Sequence, residues 1–98
     1  MKNPISKLQK IFDNRIRLGI MSALIVNETV DFNSLKELLE LTDGNLASHL
    51  KALEQQNIIT VFKNFVGRKT NTTYQATEAG KELFRQHLTA LEELINGQ

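Results

Sequence analysis

No cysteine occurs in this 98-residue chain. That excludes disulfides and thiolate metal sites and fits a reducing cytoplasm, the compartment expected for the protein. No apolar run approaches the roughly 20 residues of a membrane span, and the N-terminus lacks a signal-peptide pattern. No membrane partner is therefore expected. The only histidines are His49 and His87. With no third ligand at motif spacing, no metal and no other cofactor is expected. No nucleophile–base pair, paired carboxylates at useful spacing or phosphate-cradling glycine loop stands out, which argues against an enzyme. Internal repeats, low-complexity tracts and linkers are also lacking. One further absence is local. Residues 55–77 contain no Asp or Glu, yet hold Lys63, Arg68 and Lys69. A segment cleared of acids in this way points to a polyanionic partner.

What is present describes a soluble globular protein: 41% hydrophobic and 23% charged residues. The length suits a modest core, so residues 1–98 are expected to form a single domain. The net charge of +1 says little, but its distribution says more. Residues 43–75 carry four Lys/Arg against Asp43 and Glu54, and residues 76–98 carry two against Glu78, Glu82, Glu92 and Glu93. Basic charge is concentrated in the middle of the chain and acid at its C-terminal end.

Helix signals come first along the chain. Asn3-Pro4 reads as a cap and a first helical residue, opening a short helix over 5–12. Asp13-Asn14 is a break and a new cap. Ile16, Gly19, Ile20, Ala23 and Leu24 then recur at helical spacing to about Ile25. Val30-Asp31-Phe32 is compatible with a very short strand. Asn33 is read as the cap of a helix holding Leu35, Leu38 and Leu39, ending near Leu41. Thr42 caps the next helix, with Asp43 placed where the dipole favours an anion. That helix is expected to end near Gln56, with Asn57 as a left-handed residue. Residues 58–66 are rich in β-branched and aromatic side chains and read as a strand. Gly67 to Asn71 reads as the turn, 72–76 as the return strand, and Thr77 as the cap of a last helix. The fold class expected is mainly α with a small β-hairpin.

Two neighbouring elements carry the candidate chemistry. In the helix over 43–56, Leu46, Leu50 and Leu53 form a narrow stripe for the core. The opposite side carries Gly44, Ser48, Lys51, Ala52 and Gln55, with Asn45, His49 and Gln56 along one flank. Small residues let a helix approach base edges closely, and Asn, Gln and Ser exchange hydrogen bonds with them. The plainer reading is an ordinary solvated face. His49 stands on the shoulder between core and solvent, in reach of a phosphate, a base or a neighbouring backbone group. In the hairpin, Gly67 suits positive φ, and Arg68 and Lys69 are expected at the tip beside Thr70, Asn71 and Thr72. Cations there bind phosphate or enter a narrow groove. The plainer reading is a hairpin whose cations keep a sheet edge from aggregating.

The last helix has two apolar stripes. Phe84, Leu88, Leu91 and Ile95 make a heptad-like seam, and Leu83, Ala90 and Leu94 lie some 80–100° away. One stripe serves the chain's own core. The other is expected to meet a second copy, helped by Ile5, Leu8, Ile11 and Phe12. The alternative is one wide face covered by the N-terminal helix of the same chain.

Taken in order, these pieces resemble the winged helix-turn-helix regulators, of the broad class of the MarR and ArsR repressors, and especially their short stand-alone relatives. Asp13-Asn14-Arg15-Ile16-Arg17-Leu18-Gly19-Ile20-Met21-Ser22-Ala23-Leu24 resembles the first core helix. Leu41-Thr42-Asp43-Gly44-Asn45-Leu46-Ala47-Ser48-His49-Leu50-Lys51-Ala52-Leu53-Glu54 resembles the turn and recognition helix. Phe65-Val66-Gly67-Arg68-Lys69, Thr73-Tyr74 and Thr77-Glu78-Ala79-Gly80-Lys81 resemble the wing and the cap beyond it. The resemblance covers nearly the whole chain. It implies transcriptional regulation by a homodimer bound to double-stranded DNA. By position, Gly44, Asn45, Ser48, His49 and Lys51 would meet the major groove. Lys63, Arg68 and Lys69, in a wing of about 63–73, would meet an adjacent groove or the backbone. Ala47 stands where a hydroxyl residue is common, Asn57 stands where glycine often closes the helix, and the ArsR-type metal ligands are absent. A protein-docking module without DNA binding is the alternative, since fold does not fix function. The effector, if any, is left open; the chain has no spare ligand domain, though a cleft between two copies has room for one.

Overall fold

A computed structural model of the chain describes residues 4–97, so the Asn3 cap lies outside the described residues. The helix expected over 5–12 is instead two separate 3-10 turns, Pro4–Lys7 and Lys10–Phe12. Helix α1 spans Arg15–Val26, and the Asn14 side chain accepts from the Ile16 and Arg17 N–H groups as its cap. Strand β1 is Val30–Asp31. Helix α2 spans Phe32–Leu39, and its cap is Asp31 rather than Asn33. The Asp31 carboxylate accepts from the Ser34 N–H at 3.1 Å and from the Ser34 hydroxyl at 2.6 Å. Those bonds hold its carboxyl below the usual range. Glu40 closes α2 with φ 53°, a left-handed turn for which its residue type gives no hint.

Helix α3 spans Asp43–Gln55, and Thr42 Oγ1 accepts from the Asn45 N–H. Asn57 follows in the left-handed region, φ 59°. Strands β2 (Ile59–Val66) and β3 (Lys69–Ala76) form an antiparallel hairpin. The turn is tighter than the residues suggest: Val66 pairs with Lys69, leaving only Gly67-Arg68 between them. Gly67 has φ 67° at the first central position, the pattern of a II′ turn. Lys69, Thr70 and Asn71 therefore belong to the ladder, opposite Val66, Phe65 and Asn64. Strand β1 pairs with the other edge of β3, giving the order β1-β3-β2. Helix α4 spans Glu78–Ile95, with Thr77 Oγ1 accepting from the Gly80 N–H at 2.8 Å.

One apolar cluster ties these elements together. Ile20, Met21 and Leu24 of α1, Leu35 of α2, and Leu46, Leu50 and Leu53 of α3 pack with Ile58, Ile59, Tyr74 and Phe84. The start of α4 is fixed against the end of α3 by close backbone approach. A Cβ on Gly80 would fall 2.2 Å from the Ile58 carbonyl oxygen, which also accepts from Thr77. The molecule is elongated, 58 × 25 × 22 Å. Beyond Val61 and Tyr74 most of the hairpin projects from the core.

Phe12 and Phe84 require a correction. Both were expected at an interface between copies, yet both are buried in this chain's own core, with ring centroids 5.0 Å apart in an edge-on arrangement. The N-terminal turns cover that side of α4, so neither ring has surface to offer a partner. Ile5, Leu88 and Ile95 stay exposed at 59, 45 and 82%, while Leu8 and Leu91 are half-buried. Ile5, Leu8, Leu18, His87 and Leu91 are among the residues that line an open groove of about 710 Å³. Among the described residues no helix is long and apolar enough to cross a membrane.

Candidate nucleic-acid interface

Leu46, Leu50 and Leu53 anchor α3 and so dictate which of its sides looks outward. Gly44, Asn45, Ser48 and Lys51 are all exposed on that outward side. A carboxylate at this helix N-terminus would repel phosphate, but Asp43 is paired with Lys36 of α2 at 2.8 Å. The pair leaves the first turn of α3 close to neutral and fastens α2 to α3 beside the outward face.

The hairpin stands next to this helix. Alternation along the strands puts Ile59, Val61, Lys63 and Phe65 on one face, with Thr72 opposite Lys63 and Thr70 opposite Phe65. This is the face that turns toward α3. Lys63, Thr72 and Tyr74 line one cleft together with Ala47, Lys51 and Glu54 of α3. Lys51 and Lys63, distant in sequence, thus border the same depression. Lys69 pairs with Val66 and lies on the opposite face of the hairpin, and Arg68 occupies the tip. The three hairpin cations are therefore spread around a projecting element rather than collected on one side. Among the described residues, Lys51, Lys63, Arg68 and Lys69 have no carboxylate within ion-pair distance; the ion pairs found are Lys36–Asp43, Lys81–Glu78 and Arg85–Glu82.

His49 stands on the shoulder of α3 between core and solvent, as expected, but its partner is one the sequence does not suggest. It is half-buried, and its Nδ1 lies 3.1 Å from Arg17 Nη1 of α1. Burial, and then the Arg17 cation, push its pKa below the usual histidine value. Of the contacts open to it, one is thus taken by a side chain of another helix. Arg17 itself had no role assigned. No local signal marks it, because its partners are the Ile11 carbonyl and a histidine 32 positions away. Phe65 is the other surprise: it is 78% exposed beside the tip, with Val66 at 66%.

Comparison with known proteins bears on the family and the fold. Residues 16–95 match the model of the family described as "Winged helix DNA-binding domain". An uncharacterized protein of Methanocaldococcus jannaschii is 37% identical over 79 residues, covering 81% of this chain and 86% of its own. Among solved structures, a transcriptional regulator homologue from Pyrococcus horikoshii OT3 superposes with a TM-score of 0.84 at 31% identity. It is covered over 88% of its length, and this chain over 91%. A MarR mutant from E. coli complexed with operator DNA superposes with a TM-score of 0.72 over 85% of this chain and 59% of its own. At 13% identity, that likeness concerns the fold alone.

Proposed function

The chain belongs to the winged helix DNA-binding domain family, and from that premise we propose that it binds specific double-stranded DNA as a homodimer and regulates transcription in the cytoplasm. Helix α3 enters the major groove, with Gly44, Asn45, Ser48 and Lys51 at base edges or phosphates. The hairpin is the wing. Its tip residue Arg68, with Lys63 on one face and Lys69 on the other, suits a groove walled on both sides by phosphates. The observation that carries this reading is the set of four cations on α3 and the wing with no ion-pair partner among the described residues, three of them in the carboxylate-free stretch 55–77. Two copies would join through the exposed apolar residues of the terminal segments, Ile5, Leu88 and Ile95, with Leu8 and Leu91. A two-fold dimer places two α3 helices in successive major grooves, about 34 Å apart.

The test is selection of duplexes from a random pool by the purified protein. The expected result is a two-fold symmetric motif with half-sites about one helical turn apart. A pool that stays random after repeated rounds would contradict specific binding.

A second reading has support of its own. Phe62, Phe65 and Val66 expose apolar surface on the hairpin, of the kind a protein partner covers. In that reading the chain is a docking module without DNA binding. Salt separates the two, because phosphate contacts release counterions and apolar docking does not.

A further inference from the structure

Arg17 and His49 belong to different helices and meet at a single contact, Nη1 to Nδ1 at 3.1 Å. A guanidinium carries five N–H donors and no acceptor, so Arg17 donates and His49 Nδ1 is the unprotonated nitrogen. A neutral imidazole has one proton to place, and here it sits on Nε2. Arg17 is itself held in position: its Nε donates to the Ile11 carbonyl, at the end of the N-terminal turns. His49 Nε2 has no partner among the described residues, and no buried side-chain nitrogen or oxygen among them lacks one. Nε2 therefore opens to solvent, from the α3 flank that also carries Asn45 and Gln56. The charged group facing the ring is Arg17 of α1, and Lys10 of the second 3-10 turn borders the same cleft as Arg17. The carboxylates of α3 itself, Asp43 and Glu54, lie about 120–140° round the helix.

We propose that Arg17 is the positioning residue for His49, fixing it as an Nε2–H donor that α3 presents to a hydrogen-bond acceptor in the major groove. The inference rests on the DNA-binding reading above. Major-groove acceptors are the purine N7, guanine O6 and thymine O4, whereas the amino groups of adenine and cytosine are donors that an N–H repels. A neutral donor therefore discriminates between bases. An imidazolium would also be drawn to any phosphate, which carries no sequence information. Holding Nδ1 against a guanidinium penalises the second proton twice, by loss of the hydrogen bond and by contact between two cations.

The experiment is long-range proton–nitrogen NMR of the two imidazoles in nitrogen-15-labelled protein, free and with the selected duplex. His87 is the internal reference, since its Nδ1 accepts from the Gln9 N–H at 2.9 Å and it too carries its proton on Nε2. Wild-type His49 is expected as the Nε2–H tautomer, with its Nε2 resonance shifted by duplex. In Arg17→Met, His49 becomes a tautomer mixture with a raised titration midpoint, while His87 is unchanged. Should Arg17→Met disturb His87, Arg17→Gln replaces it: the charge is gone, and the His49 midpoint must still rise. A wild-type His49 protonated on Nδ1, or variants with an unmoved tautomer and midpoint, overturns the proposal. A duplex that binds without moving Nε2 also overturns it, and leaves the DNA reading intact. A chain that binds no duplex at all sinks the DNA reading and the donor's role with it.

Discussion

His87 lies 4% exposed in the side of α4 that faces the N-terminal turns, edge-on to Phe12 with ring centroids 5.5 Å apart. Its neutral form has a structural task, because Nδ1 accepts the Gln9 N–H 78 residues away in sequence. Burial lowers its pKa, partly opposed by Asp13; His49 is lowered as well, by burial and then by Arg17. A histidine with a lowered folded pKa binds fewer protons folded than unfolded at pH values between the two. Stability then rises with pH across that window. For this chain the contribution is fully present above the ordinary histidine value of about 6.5 and is lost as pH falls through the folded pKa values. The denaturation midpoint is therefore expected to drop as pH falls below the ordinary histidine value of about 6.5. His87→Gln, which keeps an acceptor but cannot titrate, should flatten that drop at a cost of about 1 kcal/mol at neutral pH. An unchanged pH slope in His87→Gln would contradict the assignment. Nothing in the sequence near His87 reveals this bond. Helical spacing puts His87 between the two apolar stripes of α4, but only the fold brings Gln9 to it.

At the scale of elements, side-chain capping was readable wherever a single residue decided it. Asn14, Thr42 and Thr77 cap their helices as their types and positions suggest, and Asn57 takes the left-handed turn. Asp31 escaped because Asn33 is an equally good cap by type. What decides between them is the pairing of Val30 and Asp31 with Tyr74 and Thr73, which fixes where the extended chain stops. The wing turn is shorter than its residue types suggest, because Thr70 and Asn71, common turn residues, continue the ladder against Phe65 and Asn64. Helix α4 is the hardest case. Its periodicity shows two stripes, but the N-terminal turns that cover Phe84 and His87 are remote in sequence, so the stripe left for a partner was not legible. With Phe84 buried, Leu88, Leu91 and Ile95 remain as the candidate seam. Leu88→Glu puts a charge where a partner's apolar surface should sit, a heavy cost if no counter-charge is there. Since Leu88 is 45% exposed in the single chain, the variant should stay folded by circular dichroism and sediment as a monomer. A folded variant that remains dimeric would move the interface away from this seam.

For the molecule as a whole, the division of labour follows from where the apolar residues and the carboxylates are placed. One apolar cluster joins every helix to the base of the sheet and leaves the outward side of α3 and the length of the wing free. Those two surfaces adjoin through the cleft shared by Lys51 and Lys63, and residues 55–77 carry no carboxylate. The architecture and the outward set Gly44, Asn45, Ser48 and Lys51 could be read from the chain, because helical period and acid depletion are local. The engagement of His49 by Arg17, and the spread of Lys63 and Lys69 over opposite faces, could not, because both depend on register and long-range packing. Binding of the DNA backbone and bases by α3 and the wing is tested by the salt dependence of duplex affinity, measured for the wild type and for Arg68→Ala/Lys69→Ala. The wild type should weaken steeply with salt, and the double variant should show a log–log slope shallower by roughly 0.9 for each phosphate contact it loses. A wild type whose affinity ignores salt, or a double variant with unchanged affinity and slope, would contradict it.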